Sequence, residues 1–201
     1  MKLYYFPYAC SLAPLIVAQE ASIPLELVKV DTKASPYQAA GVDYTALNPK
    51  GYVPAVALDD GSLLTEAAVI LQYLGDLKPQ AGLLPQPSDA KRIRLQEWLN
   101  FIATELHKMF SPWLFHPEYG ALAQDGARAK IRDRFALLEK HLGTSPYLMG
   151  ESYSVADAYL FTIASWSGPA KIDLKPYPHL SRYLGTIAAR PAVRAALAAH
   201  V

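Results

Sequence analysis

Residues 2–21 read KLYYFPYACSLAPLIVAQEA, and the handover inside them from an aromatic strand to an apolar helix decides the architecture of the first domain. Lys2 to Phe6 is short and rich in β-forming residues, and Pro7 stops it. From Ser11 to about Ala21 the apolar positions Leu12, Leu15, Ile16 and Ala18 onward suit a helix, with Cys10 or Ser11 at its start. Leu25–Val30 alternates as a half-buried strand should, and 33–47 is polar and irregular with room for a short helix. Val53–Leu58 and Ser62–Leu64 flank Asp59-Asp60-Gly61, a strong hairpin signal. Thr65 reads as the N-cap of a helix carrying Val69, Ile70, Tyr73 and Leu74. The order βαβ-ββα makes a small α/β domain over 1–77.

Gly75, Lys78-Pro79, Gly82, Pro85 and Pro87 mark a linker, placed at 78–87. Beyond it no strand pattern appears, so 88–201 is expected to be all-α. Arg92–Phe110 is a long helix with Leu95, Trp98, Leu99, Ile102, Leu106 and Met109 on one stripe, while Asn100, Thr104, His107 and Ser111 form a polar row elsewhere on it. Further helices are expected over 127–142, 154–166, 180–189 and 192–199. Ser154-Val155-Ala156-Asp157 is a capping box that stabilises a helix start and does no chemistry. The fold class is therefore α/β plus all-α.

The chain has 201 residues, 52% of them apolar or aromatic, with a net charge of +1. That composition is globular, and no basic surplus is available to neutralise a run of phosphates, which argues against nucleic-acid binding. The single cysteine excludes an internal disulfide and a four-cysteine zinc site, and no metal is expected. Pro7 and Pro14 interrupt the apolar N-terminal run, no small-x-small cleavage site follows it, and no stretch is long enough to span a membrane. The expectation is a cytoplasmic protein with no membrane partner.

Three places are set up for chemistry. A thiol at Cys10 faces the unpaired N–H groups and positive dipole end of the helix that follows, which favour a thiolate on the protein or on a ligand. The helix end contributes about 0.3–2 kcal/mol, against ~1.4 for one pKa unit, so further donors such as Ser11 are called for. Cys10 reads equally well as a small buried hydrophobe. Pro54 opens an apolar strand where a missing N–H would waste a ladder bond; either the Val53-Pro54 bond is cis and aims the Val53 backbone at a ligand, or an ordinary trans proline sits on an edge. The N–H groups after Leu64-Thr65-Glu66-Ala67 can hold a carboxylate while Glu66 holds an ammonium, or Glu66 is simply an acid in a first helical turn.

Taken together, "YYFPYACSLAP", "LNPKGYVPAV", "LLTEAAVILQYL", "EWLNFIATELHKMFSP" and "SYSVADAYLF" resemble the glutathione transferase family, in particular its bacterial beta class, over essentially the whole chain. The resemblance implies a thioredoxin-like domain packed on a helical one, a homodimer, and glutathione as co-substrate with no prosthetic group. It implies a cis Val53-Pro54 bond pairing with the cysteinyl part of glutathione and a Glu66-Ala67 helix start holding the γ-glutamyl end. Cys10 and His107 are implied beside the glutathione sulfur, with Ser11 as a further catalytic donor and Tyr5 nearby. Ala9, Lys33, Tyr52, Asn100 and Lys108 complete the implied glutathione contacts, Lys33 towards the glycyl carboxylate. Tyr8, Phe110, Pro112, Trp113 and Trp166 are the implied hydrophobic substrate site. Two departures stand out: many relatives have glycine at the position of Tyr8, and many have serine at that of Ala67, where loss of a hydroxyl contact weakens binding by about 1 kcal/mol.

The activity expected is attack of glutathione thiolate on a hydrophobic electrophile in a detoxification role. Two alternatives remain at this stage: a Cys10-dependent glutathione thiol transferase or dehalogenase, and a non-catalytic ligand-binding homologue. His116, His141, His179 and His200 read as structural or solvated.

Overall fold

Strand β1 (Lys2–Tyr5) runs parallel to β2 (Glu26–Asp31) in the register Lys2↔Glu26 to Tyr5↔Lys29. Parallel neighbours need a crossover, and α1 (Leu12–Glu20) supplies it. On its other side β1 is antiparallel to β5 (Ala55–Ala57), which pairs with β6 (Leu63–Thr65). The two-residue strands β3 (Gln38–Ala39) and β4 (Val42–Asp43) extend the sheet to the order β4-β3-β2-β1-β5-β6. Helices α2 (Tyr44–Leu47) and α3 (Ala67–Leu77) complete this part of the computed structural model, which describes Met1–Val201.

Tyr4, Val30, Ala39, Tyr44 and Ala55 form a buried cluster, with the Tyr4 and Tyr44 rings 5.5 Å apart. Every residue of α1 from Leu12 to Ala18 is buried. A helix apolar on all sides needs cover on all sides. It packs against α3 and against the last helix, Pro191–Ala199. The chain accordingly divides into Met1–Leu84 with Arg190–Val201, and Pro85–Ala189. The C-terminal segment thus belongs with the first unit, whereas the sequence reading kept it in a helical domain running from 88 to the end. Arg190 fixes the return with a two-pronged ion pair to Glu20, at 2.6 and 2.9 Å.

In the second unit, α4 (Lys91–Phe101) runs through a wide π-helical turn (Ile102–His107) into α5 (Lys108–Phe110). Leu95, Leu99, Ile102, Leu106 and Phe110 are its buried stripe. Helices α6 (Ala121–Leu142), α7 (Val155–Ala164) and α8 (Pro178–Ala188) follow, and α9 is the Pro191–Ala199 helix of the first unit. Every residue of α7 is buried, which makes it the axis of the unit. The Glu139 carboxylate of α6 accepts from the N–H groups of His179 and Leu180 at the first turn of α8, each at 2.9 Å, where a negative charge meets the positive helix end. No helix is long and apolar enough to cross a membrane.

Candidate functional site

Cys10 is buried at the end of the loop leaving β1, and its Sγ donates to the Val53 carbonyl at 3.1 Å. The Val53-Pro54 peptide is cis, as the family resemblance implies. Pro54 precedes β5, which starts at Ala55, so no ladder bond is lost to the missing N–H. Cys10 lies one residue before Ser11, the N-cap of α1, and its own carbonyl accepts from Ala13 N–H at 3.2 Å.

Two residues to which the sequence reading gave no role, Tyr44 and Asn48, hold the peptide before Val53. The Tyr52 carbonyl accepts from the Tyr44 hydroxyl and from Asn48 Nδ2, both at 2.8 Å. Asn48, itself buried, also takes Lys50 N–H on its Oδ1 at 3.2 Å and closes the turn through Gly51 N–H, at 2.8 Å to its carbonyl. Gly51 has φ +70, a conformation that favours glycine. Burial raises the Tyr44 hydroxyl above the ordinary phenol range, so it stays a donor. The signal available in sequence was Asn-Pro-Lys-Gly, a turn with an asparagine able to bond its own backbone.

Glu66 is exposed and takes the cap position of α3 with φ +70; Thr65, expected to be that cap, is instead the last residue of β6. The reason is the strand pairing Ala55↔Thr65, which keeps Thr65 in the ladder. Lys50 Nζ donates to Glu66 Oε1 at 2.8 Å and Thr65 Oγ1 at 2.9 Å. Ala67, buried, begins the helix. Tyr52 and Lys33 are exposed, and Ala9 is half-buried.

Ser11 is engaged within the protein. Its hydroxyl is fully buried, lies 2.9 Å from His200 Nε2, and exchanges longer contacts of 3.4 Å with the Phe6 N–H and carbonyl. These contacts make it a structural bond of the loop. Tyr5 is likewise committed, with its hydroxyl on the Val201 carbonyl at 3.1 Å and its ring 5.1 Å from that of His200. Tyr8 is 74% exposed at φ +62. A left-handed tyrosine costs about 1–2 kcal/mol relative to ordinary backbone, and the bond from its N–H to His200 Nδ1 at 3.2 Å helps to hold it there.

Burial drops the His200 pKa to about 4. Below its unfolded value near 6.5 the unfolded chain binds a proton that the folded one refuses, so stability falls as pH drops from about 6.5 towards 4. Between pH 7 and 4.5 this histidine is expected to remove about 2 kcal/mol. Denaturant titrations of the wild type and His200→Gln at both pH values check it. The wild type should lose that much more than the variant, and equal losses would refute the assignment.

In the second unit His107 ends the π-helical turn. Its Nδ1 is 2.7 Å from the Tyr159 hydroxyl and its ring meets the edge of Trp166 at 5.3 Å. Asn100 and Lys108 are exposed, Pro112 is half-buried and Trp113 is 39% exposed, with its ring 5.5 Å from Tyr119. Phe110 and Trp166 are both buried. Phe110 is fully buried against Phe135 and Trp166, while Trp166 is 8% exposed among His107, Phe110 and Phe115. Both take part in the packing of this unit.

A thiol at the strand-to-helix handover, a cis proline beside it and a βαβ-ββα sheet define a thioredoxin-like fold, here joined to a helical unit. The sequence matches the glutathione S-transferase N-terminal domain over residues 9–77 and the glutathione S-transferase C-terminal domain over 101–191. The glutathione S-transferase GstA of Escherichia coli O157:H7 is 41% identical over 200 residues, covering 100% of this chain and 98% of the relative. A sphingomonad glutathione S-transferase solved in complex with glutathione is 42% identical with a TM-score of 0.94, covering 100% of this chain and 98% of that one. A beta-class enzyme of Sphingomonas chungbukensis is 41% identical with the same TM-score and the same coverage. The chain belongs to the glutathione S-transferase family.

Proposed function

We propose that this chain is a glutathione transferase that joins the thiolate of glutathione, its co-substrate, to hydrophobic electrophiles. The observation that carries the reading is the grouping, on one unit, of the Cys10 thiol 3.1 Å from the carbonyl of a cis-linked Val53 with the Lys50–Glu66 pair at the start of α3. Val53 offers N–H and C=O to the cysteinyl residue of a bound peptide. Glu66 takes the α-ammonium, and the first N–H groups of α3 take the α-carboxylate. The sphingomonad relative was solved with glutathione, which supports this choice of peptide. Ala9, Lys33, Tyr52, Pro54 and Ala67 supply the remaining contacts from the same unit. Cys10 lies beside the glutathione sulfur. The electrophile rests against Pro112 and Trp113. The enzyme works as a cytoplasmic homodimer in detoxification.

Cys10 separates conjugation from thiol transfer. If glutathione's own sulfur is the nucleophile, Cys10→Ala keeps conjugation of an aryl halide within about threefold of wild type and abolishes glutathione–disulfide exchange. Steady-state assays of both reactions decide it. Loss of both activities would make Cys10 the reacting group, and failure of the wild type to bind immobilised glutathione would overturn the proposal.

A further inference from the structure

His200 is buried at the end of α9, 190 positions along the chain from Cys10, yet it reaches the loop that carries the thiol. Its Nδ1 accepts from Tyr8 N–H at 3.2 Å, which leaves Nε2 as the protonated nitrogen, the donor to Ser11 Oγ at 2.9 Å. Ser11 in turn closes on both backbone groups of Phe6. One imidazole thereby ties the two residues that flank Ala9 and Cys10 to each other and to the end of β1.

We infer that His200 is a positioning residue for Cys10: it braces the Phe6–Ser11 loop from the far end of the chain and sets how the thiol is presented. The ring suits this task because its two nitrogens act as a donor and an acceptor on opposite edges, and the group stays neutral at pH 7. Val193 and Ala196, buried on the same helix, dock α9 so that the ring arrives in place.

Cys10 is the only cysteine, so reaction with an aromatic disulfide reagent reads this one thiol. The readout does not depend on glutathione chemistry, so failure of this inference and failure of the proposed function are separable. Losing the two bonds in His200→Ala is expected to speed native-state labelling by at least about tenfold. His200→Gln, which keeps a donor for Ser11, should stay within about threefold of wild type. Val193→Ala is the control, since it loosens α9 without touching the loop. With rates extrapolated to zero denaturant and set against each variant's global stability, His200→Ala should exceed Val193→Ala. Equal acceleration in the two would make His200 merely part of the helix packing, and an unchanged rate in a folded His200→Ala protein would also overturn the inference.

Discussion

Asp157→Ala is expected to destabilise the protein by about 4 kcal/mol, lowering the thermal midpoint by about 10 °C or more. The carboxylate is fully buried at the start of α7 and takes four hydrogen bonds: Leu148 N–H at 2.9 Å, Ser154 N–H and Oγ–H at 2.8 Å each, and the Tyr183 hydroxyl at 2.9 Å. Burial pushes its pKa up against the pull of those donors, so the charged group itself is costly to bury. The alanine variant relieves that cost but strands the Leu148 N–H and the Ser154 N–H and hydroxyl, while the Tyr183 hydroxyl keeps only its longer contact of 3.3 Å to the Asp157 carbonyl. Burial and the nearby carboxylate raise Tyr183 well above the usual phenol range, and its hydroxyl keeps the proton it donates. The residue therefore joins α7, α8 and the Leu148 segment, where an ordinary capping residue serves one helix end for about 1 kcal/mol. Denaturant and calorimetric unfolding measure the difference. A loss near 1 kcal/mol would reduce Asp157 to a cap.

The Ser-Val-Ala-Asp pattern announced the capping box but not this reach, because neither Leu148 nor Tyr183 is marked as its partner by spacing. The same division runs through the whole chain. Elements with local causes were legible: the strand ended by Pro7, the hairpin around Asp59-Asp60-Gly61, and the long amphipathic helix after the linker. The hairpin at Gln38–Asp43 was not, because its strands have two residues each and its turn places the non-glycine Ala40 at φ +50 beside Gly41 at φ +81. The π-helical turn at Ile102–His107 has no punctuating residue to betray it. Within the candidate site, Cys10 and Glu66 stood out in their motifs, and the cis Val53-Pro54 bond was implied by the family resemblance while the residues alone left cis and trans open. The destination of Ser11 was not, since it depends on a histidine 189 positions away. One clue to that long-range closure did stand in the sequence: the largely apolar run of α1 asks for cover that its immediate neighbours cannot give, and α9 provides it.

Phe110→Ala is expected to cost about 4 kcal/mol, in the range for emptying a large core site. Its ring continues the buried spacing of Leu99, Ile102 and Leu106 and packs 6.3 Å from Phe135 and 6.0 Å from Trp166. Behind Trp166 stand His107 and Phe115, so a cavity at Phe110 is transmitted through Trp166 to the ring beside His107. Trp113→Ala makes the informative contrast, because that side chain is 39% exposed. Its stability loss should stay near 1 kcal/mol because little core is lost, while under the proposed function KM for a bulky electrophile rises. Phe110→Ala should do the reverse at temperatures where it remains folded: a large shift in the unfolding midpoint and a KM within about twofold of wild type. If Phe110→Ala instead left stability intact and altered electrophile selectivity, the ring would have to face a ligand, and the packing assigned to it would be wrong.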